Sequence, residues 1–481
     1  MIKQATFQSI AESTVNVVIP IYYRDTIDEK ITEKLGFQFS RLINRRRGVI
    51  TKVATRGLYP FPYFVFLGLG ERKTITTPIM RGMFGKLFRH LQESAVVLIQ
   101  KAVLERFGFS EEELAGLLTQ SFVLATYEIP HYKFKRQMPK YQISIMADTD
   151  VRDAIQKALD YTEPVNYAKD LGNTSRYLMN PAYLEVQARK LARKYKMQME
   201  VLEKPQLEEI QAKALLTQSL GSKHRPKMIV LRYQGNAKGP CTALIGKGLT
   251  YDSAKYRGRA DHIRNVRFDI CGATSVLGVM EIIARRNMKV NVLAVIPATE
   301  NMITIDNYQE YGVVHTMAGK KIEITYADLE GRLMLCDAIT YAGNQGVSRI
   351  LGLSTITANC LMAMGEIYTG LFCNDDALYQ EFVRALEKQD EKCWRLPLDD
   401  AFARKIYETK VADVANSSGT SISANIGACL LKQFVPEDVS WMHLDLAQCT
   451  MPTQDRPHIQ IGATGVMIRS VAQLLEQHAL S

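Results

Sequence analysis

Four acidic residues stand where strand-like segments give way to loops: Asp252 after ALIGKGLTY, Asp269 after RNVRF, and Asp328 with Glu330 after IEITYA. Parallel strands deliver such ends to one sheet edge however distant they are in sequence. Four carboxylates gathered there repel one another, and two divalent cations bridged by shared carboxylates offset that repulsion. Each residue also has a plainer role. Asp328 can cap a helix, Glu330 suits a helix's first turn, and Asp252 with Ser253 can form a turn. Arg332, two residues beyond Glu330, reads on its own as a salt-bridging helix residue, and Lys247, in LIGKGLTYDS, as an ammonium paired with a nearby aspartate.

Elements able to position these groups recur from about residue 180. PAYLEVQARKLARKY has the spacing of an amphipathic helix, KMIVLRYQ and CTALIGKG read as strands, TSVLGVMEIIARR as a helix and VNVLAVIPA as a strand. GKKIEITYA, the helix LEGRLMLCDAITYAG and the strand RILGLSTIT follow. This alternation predicts a larger carboxy-terminal α/β domain, residues 156–481, with a mostly parallel central sheet flanked by helices. The first 155 residues read as a smaller α/β domain: VNVVIPIYY and PYFVFLGLG are strands, SAVVLIQKAVLERFG is ambiguous, and EEELAGLLTQSFVLATYEI is a helix. YQISIMADT adds a strand, and the helical spacing that follows is interrupted at Pro164. No Walker sequence and no GxGxxG is present.

The chain has 481 residues, 47% hydrophobic and 23% charged, enough for two cores. It lacks the apolar run of a secretory signal or a membrane span, so a cytoplasmic location is expected. Eight widely spaced cysteines without a CxxC pair exclude a disulfide scaffold and a thiolate zinc site. The formal charge of +10 admits nucleic acid as a partner, but net charge describes steering and not a binding mode. The densest basic stretch, RLINRRRGVITK, contains Gly48 and reads as a helix end or turn.

The stretches LIGKGLTYDS, FDICGA, ATENM, GKKIEITYADLEGRL, STITA and HLDLA, in this order, resemble those of the leucyl aminopeptidase (cytosol aminopeptidase) family, of which this chain looks like a divergent member. The resemblance runs from about Asn166 to Ser481. ITYADLEGRL is similar to the family signature NTDAEGRL. The resemblance implies a two-metal exopeptidase with Lys247, Asp252, Asp269 and Glu330 around one ion and Asp252, Asp328 and Glu330 around the other, zinc or manganese in kind. It implies that Asp269 also meets the substrate's free amino group, that Arg332 holds a bicarbonate, and that Val266, Thr355, Ile356 and Ala358 line the substrate site. Short peptides with apolar first residues would be the substrates, and a homohexamer the assembly.

The chain departs from the family after Asp252. Where the family reads DSGG and then a segment ending in SIK, this chain reads DSAKYRGRADHIRNVRFD, one residue shorter, which puts Arg259 on the position of the catalytic lysine when counted from Asp252 and Gly258 there when counted back from Asp269. Arginine keeps the charge but offers a wider, more rigid donor array. Two other functions therefore compete with an aminopeptidase: a catalytically weak or inactive member serving as an oligomeric scaffold, and a DNA-binding member.

Overall fold

A computed structural model describes residues 1–5, 12–24, 42–71, 74–99, 108–129, 141–253, 269–302, 312–326, 331–356, 360, 364–418, 424–447, 449–450, 452, 454, 456 and 459–480. The chain divides into two units, one of Met1–Glu163 with Gln454–Gln460 and one of Pro164–Thr453 with Ile461–Ser481.

The smaller unit holds β1 (Ile2–Ala5), β2 (Asn16–Tyr22), β3 (Ile50–Ala54), β4 (Tyr63–Gly70), β5 (Ala95–Leu98) and β6 (Ile143–Met146) in one sheet, ordered β1-β6-β5-β2-β4-β3. Every pairing is parallel except β3–β4. β2 is buried along its whole length, as an uninterrupted apolar run in a parallel sheet requires. Helices α1 (Thr77–Leu91) and α2 (Glu111–Ala125) pack on this sheet and on each other. Ser110 and Glu113 close a reciprocal capping box that starts α2. The basic stretch is a turn, with Gly48 at φ +69°, leading into β3.

Helix α3 (Arg152–Gly172) does not break at Pro164, where the spacing predicted an interruption. The proline removes one backbone donor, at a cost of about 3 kcal/mol. Burial of Tyr161, Val165, Ala168 and Leu171 along the same helix outweighs that.

The larger unit is built on nine strands: β7 (Gln198–Leu202), β8 (Lys227–Gln234), β9 (Cys241–Gly246), β10 (Gly248–Asp252), β11 (Asn291–Asn301), β14 (Arg349–Ser354), β15 (Thr369–Cys373), β16 (Cys393–Arg395) and β18 (Ser440–Asp445). Their order is β16-β15-β18-β14-β9-β11-β8-β7, with β10 continuing along β11 beyond the end of β9. β18, β14, β9, β10 and β11 all run parallel, and antiparallel pairs, β15–β18 and β11–β8–β7, lie to either side. Lys247, Asp252, Asn301, Thr355 and Asp445 therefore stand at or just beyond carboxyl ends on a single edge.

One face of this sheet is covered by α7 (Cys271–Arg285), packed on β9, β11 and β14. Helix α8 (Gly331–Asn344) buries Leu333, Met334 and Ala338 in the cluster that holds Ala243, Ile245, Val295 and Ile350. Helix α11 (Ala424–Lys432) contributes Ile426 and Leu430 to the same cluster, and α12 (Ile468–Leu480) packs on α7.

Within GKKIEITYA, Lys321–Glu323 form β13, which pairs antiparallel with β12 (Val313–His315) and parallel with β17 (Val414–Ala415) and not with the central sheet. Only Ile322 of β13 is fully buried, between an exposed Lys321 and a half-buried Glu323, so the strand suits a small half-covered sheet and not the doubly covered centre.

Candidate active site at the carboxyl edge of the central sheet

Lys247 separates β9 from β10. Its backbone N–H donates to the Leu353 carbonyl (3.1 Å) and its carbonyl accepts from the Ala273 N–H (2.9 Å), which wedges the residue between β14 and α7. The side chain is 5% exposed. Its Nζ donates to Asp269 Oδ1 (3.0 Å), to the Thr355 carbonyl (2.7 Å) and to Thr355 Oγ1 (3.3 Å). The Thr355 hydroxyl donates to the same Asp269 oxygen at 2.7 Å. A buried ion pair needs its remaining donors satisfied, and the two Thr355 oxygens with Asp269 Oδ1 supply three acceptors for the three N–H groups of Lys247.

Asp252, also buried, accepts the Asn301 Nδ2 through Oδ1 at 3.0 Å, and the Asn301 carbonyl accepts the Ser253 N–H at 2.8 Å. Asn301 thus fixes both the carboxylate and the backbone beside it.

Behind this group lies Asp445, fully buried at the end of β18. Its Oδ1 accepts the N–H groups of Ile356 (3.1 Å) and Ala447 (3.2 Å), and the Cys360 thiol lies 3.7 Å from Oδ2. Burial pushes the Asp445 carboxyl up to about 6, against the pull of those donors. The peptide unit between Thr355 and Ile356 thereby bridges two charged side chains: its N–H points to Asp445 and its carbonyl to Lys247.

Arg332, in the first turn of α8, is 1% exposed and donates from Nη1 to the Asn416 carbonyl at 2.7 Å. Two glycines make room for this arrangement. A Cβ on Gly331 would lie 2.7 Å from Lys247 Cε and 2.8 Å from Nζ, so the peptide after Glu330 passes directly against the lysine. A Cβ on Gly427 would lie 2.8 Å from Arg332 Cζ, from Arg332 Nε and from Ile356 Cγ2.

Of the residues singled out from sequence, Lys247, Asp269 and Thr355 meet directly, and Ile356 and Arg332 flank Gly427. Arg259, Val266, Asp328, Glu330 and Ala358 lie outside the described residues, as does the altered loop from Ala254 to Arg264. Among the described residues no three His, Cys, Asp or Glu side chains form a group able to hold a metal ion. The donors present, two buried carboxylates and a lysine amine, suit a hard or borderline divalent ion. Gly331 itself packs against the end of the Lys247 side chain.

Three residues not assigned a role from sequence prove structurally central: Asn301, Asp445 and Asn416. The first two lie in ATENM and HLDLA. Asn416 belongs to no stretch that stood out, and a side chain that holds another across 80 or 90 residues leaves no periodicity to read. A cavity of about 500 Å3 lined by Cys373, Arg395 and Lys432 is a different place, at the opposite edge, since β15 runs against β18.

Residues 166–472 match the cytosol aminopeptidase family, catalytic domain. A probable cytosol aminopeptidase from Exiguobacterium sibiricum is 32% identical over 468 residues, covering 96% of this chain and 97% of that protein. The bottromycin maturation enzyme BotP shares the fold at a TM-score of 0.85 and 24% identity, over 97% of this chain and 99% of its own. A tomato leucine aminopeptidase mutant does so at a TM-score of 0.86 and 24% identity, over 99% of this chain and 96% of its own. With both the catalytic domain and a relative of nearly equal length matched, this chain belongs to the cytosol aminopeptidase family.

Proposed function

We propose that this protein is a cytosolic, metal-dependent aminopeptidase that releases the first residue, preferentially an apolar one, from short peptides. The observation that carries this is the buried contact of Lys247, Asp269 and Thr355 at a parallel-sheet edge, reached by the peptide that follows Glu330. Lys247, Asp252, Asp269 and Glu330 hold one divalent ion, and Asp252, Asp328 and Glu330 the second. Such ions polarise the scissile carbonyl and acidify a water.

The protein's own groups set which bond is presented. Asp269 receives the substrate's free α-amino group, which restricts cleavage to the first residue. The Thr355–Ile356 peptide just beyond β14 orients the substrate, with Val266 and Ala358 lining its side-chain pocket. Arg332 would hold a bicarbonate, which would supply proton transfer there, and one of its donors is spent on the Asn416 carbonyl so that its plane is set in advance. Arg259 stands in for the family's lysine and supplies positive charge beside the carbonyl. The assembly is a homohexamer.

The test is hydrolysis of aminoacyl-amides and dipeptides by protein stripped of metal and resupplied with manganese or zinc; BotP, of the same fold, has been solved with Mn. Expected are metal-dependent release of the amino-terminal residue, no release from amino-acetylated peptides, and loss of activity in Asp328→Ala and Glu330→Ala. Metal uptake without turnover on any substrate would sink the aminopeptidase and favour the scaffold. A strongly salt-dependent association with DNA would instead favour the nucleic-acid role.

A further inference from the structure

β10 and β11 pair in parallel, and their ladder shifts register once, between Leu249 and Tyr251. Thr250 is the extra residue. Its hydroxyl donates to the Thr299 carbonyl at 3.1 Å, which pins the bulge to the facing strand. The shift sets Asp252 opposite Asn301, where an unshifted ladder would set it opposite Met302. Side chains alternate along a strand, so paired positions share a face and the next residue takes the other. The bulge therefore puts the Asp252 carboxylate and the Asn301 amide on one face at the carboxyl edge of the sheet, as bulges beside active sites commonly re-aim a side chain.

Asn301 then engages this strand end twice. Its Nδ2 donates to Asp252 Oδ1 at 3.0 Å, and its carbonyl accepts the Ser253 N–H at 2.8 Å. Both Asp252 and Asn301 are buried. A carboxylate only accepts, so the amide nitrogen is the atom that faces it. Because the amide is neutral, it orients the carboxylate and leaves its charge to attract a cation, whereas Lys247 meets Asp269 with a charge of its own. Each carboxylate oxygen offers two lone pairs, so the bond from Nδ2 does not close Oδ1 to an ion.

We propose that Asn301 is a positioning residue: in the register that the Thr250 bulge creates, it holds the Asp252 carboxylate with its side chain and the end of β10 with its backbone, and so pre-sets Asp252 for a divalent ion. This rests on the assignment of Asp252 as a metal ligand made above. Asn301 acts through Asp252 and needs no contact with metal or substrate. Loss of a partner that orients a metal ligand typically weakens metal affinity by about 10–100-fold.

The test is titration of metal-stripped wild type, Asn301→Ala and Asn301→Leu with Mn2+ by calorimetry, beside thermal unfolding of the same proteins without metal. Alanine removes the donor, and leucine replaces it with an apolar side chain of similar size, which serves if the smaller residue fails to fold. Both keep the backbone carbonyl that holds Ser253. The expected result is Mn2+ affinity weakened at least 10-fold in a variant that still unfolds cooperatively without metal, with kcat partly restored at high Mn2+. A merely structural role would lower the metal-free thermal midpoint and leave the affinity of the folded protein as it was, so a smaller loss of affinity in a folded variant overturns the proposal. Loss of cooperative unfolding in both variants overturns it as well, since Asn301 would then serve the fold and not the ligand. If wild type itself takes up no Mn2+, it is the metal assignment that fails, which separates the two conclusions.

Discussion

Replacing Gly331 by alanine adds one methyl group at the point where α8 begins and touches one residue, Lys247. The position does not have the positive φ that only glycine tolerates, so the backbone accepts alanine. The new Cβ would sit 2.7 Å from Lys247 Cε, whereas carbon atoms settle at roughly 3.5 Å or more. Lys247 must therefore withdraw by about 0.8 Å. A shift of that size carries its 3.0 Å contact with Asp269 beyond hydrogen-bonding distance. Misplacement of a positioned group by about 1 Å costs on the order of 10²-fold in rate, or about 2.7 kcal/mol of transition-state stabilisation. The fold loses far less. The atoms displaced are the far end of a flexible side chain, and alanine gains up to about 1 kcal/mol over glycine in a helix. The expected outcome is kcat/KM on a dipeptide reduced about 100-fold at saturating Mn2+, with the thermal midpoint within about 3 °C of wild type. Wild-type kcat/KM in Gly331→Ala would refute the idea that the placement of Lys247 matters to the reaction.

Gly427→Ala pushes on Arg332 and Ile356 together, and should lower kcat at least about 10-fold with KM little changed, as steady-state kinetics will reveal. Asp445→Asn keeps the oxygen that accepts from Ile356 and Ala447, so activity should stay within about threefold, whereas Asp445→Leu strands both donors and should cost about 1–3 kcal/mol for each in denaturant unfolding, together with most activity. Asp337 predicts a pH dependence. It is fully buried, accepts the N–H groups of Leu215 (2.9 Å) and Met317 (2.8 Å), and is pushed up to about 7 by burial. Because its folded pKa exceeds its unfolded one, the stability it contributes is complete below about pH 4 and is lost as pH rises through 7, with a slope approaching about 1.4 kcal/mol per unit between. His443 works oppositely: burial lowers it to about 3, so its contribution is lost as pH falls below the unfolded value of about 6.5. Unfolding measured from pH 4 to 8 should therefore show that slope in the difference between wild type and Asp337→Asn; a flat difference would mean that Asp337 is ionised throughout.

Much of the scaffold was legible because its signals are periodic. The largely apolar VNVLAVIPA and RILGLSTIT supplied β11 and β14, while the helical spacing of LEGRLMLCDAITYAG continues through α8 from Gly331. That β9, β14 and the start of α7 converge, and so bring Lys247, Thr355 and Asp269 into contact, follows from the strand–helix rhythm itself. The exceptions have physical causes. GKKIEITYA was read as one more strand of the series, but three residues with one fully buried side chain cannot cover both faces of a central position. At Pro164 a local rule gave way to burial elsewhere along the helix. Asn301, Asp445 and Asn416 act by hydrogen bonds across 49 to 91 residues, and polar contacts at that range follow no repeat. The altered loop around Arg259 remains the point where family resemblance and this chain part.

The division of the chain into units also governs how the molecule can be cut. The passage from the smaller to the larger unit falls inside the unbroken helix α3, and Gln454–Gln460 returns to the smaller unit before the last helix closes the larger one. The polypeptide thus changes unit three times, and no single scission yields two complete parts. A truncation beginning at Pro164 would start in mid-helix and would carry Gln454–Gln460 without the unit to which that piece belongs. Genetic exchange of the amino-terminal part between relatives therefore needs three coordinated junctions, one within α3 and a pair bracketing residues 454–460, which makes this end of the protein harder to swap than its position in the sequence suggests.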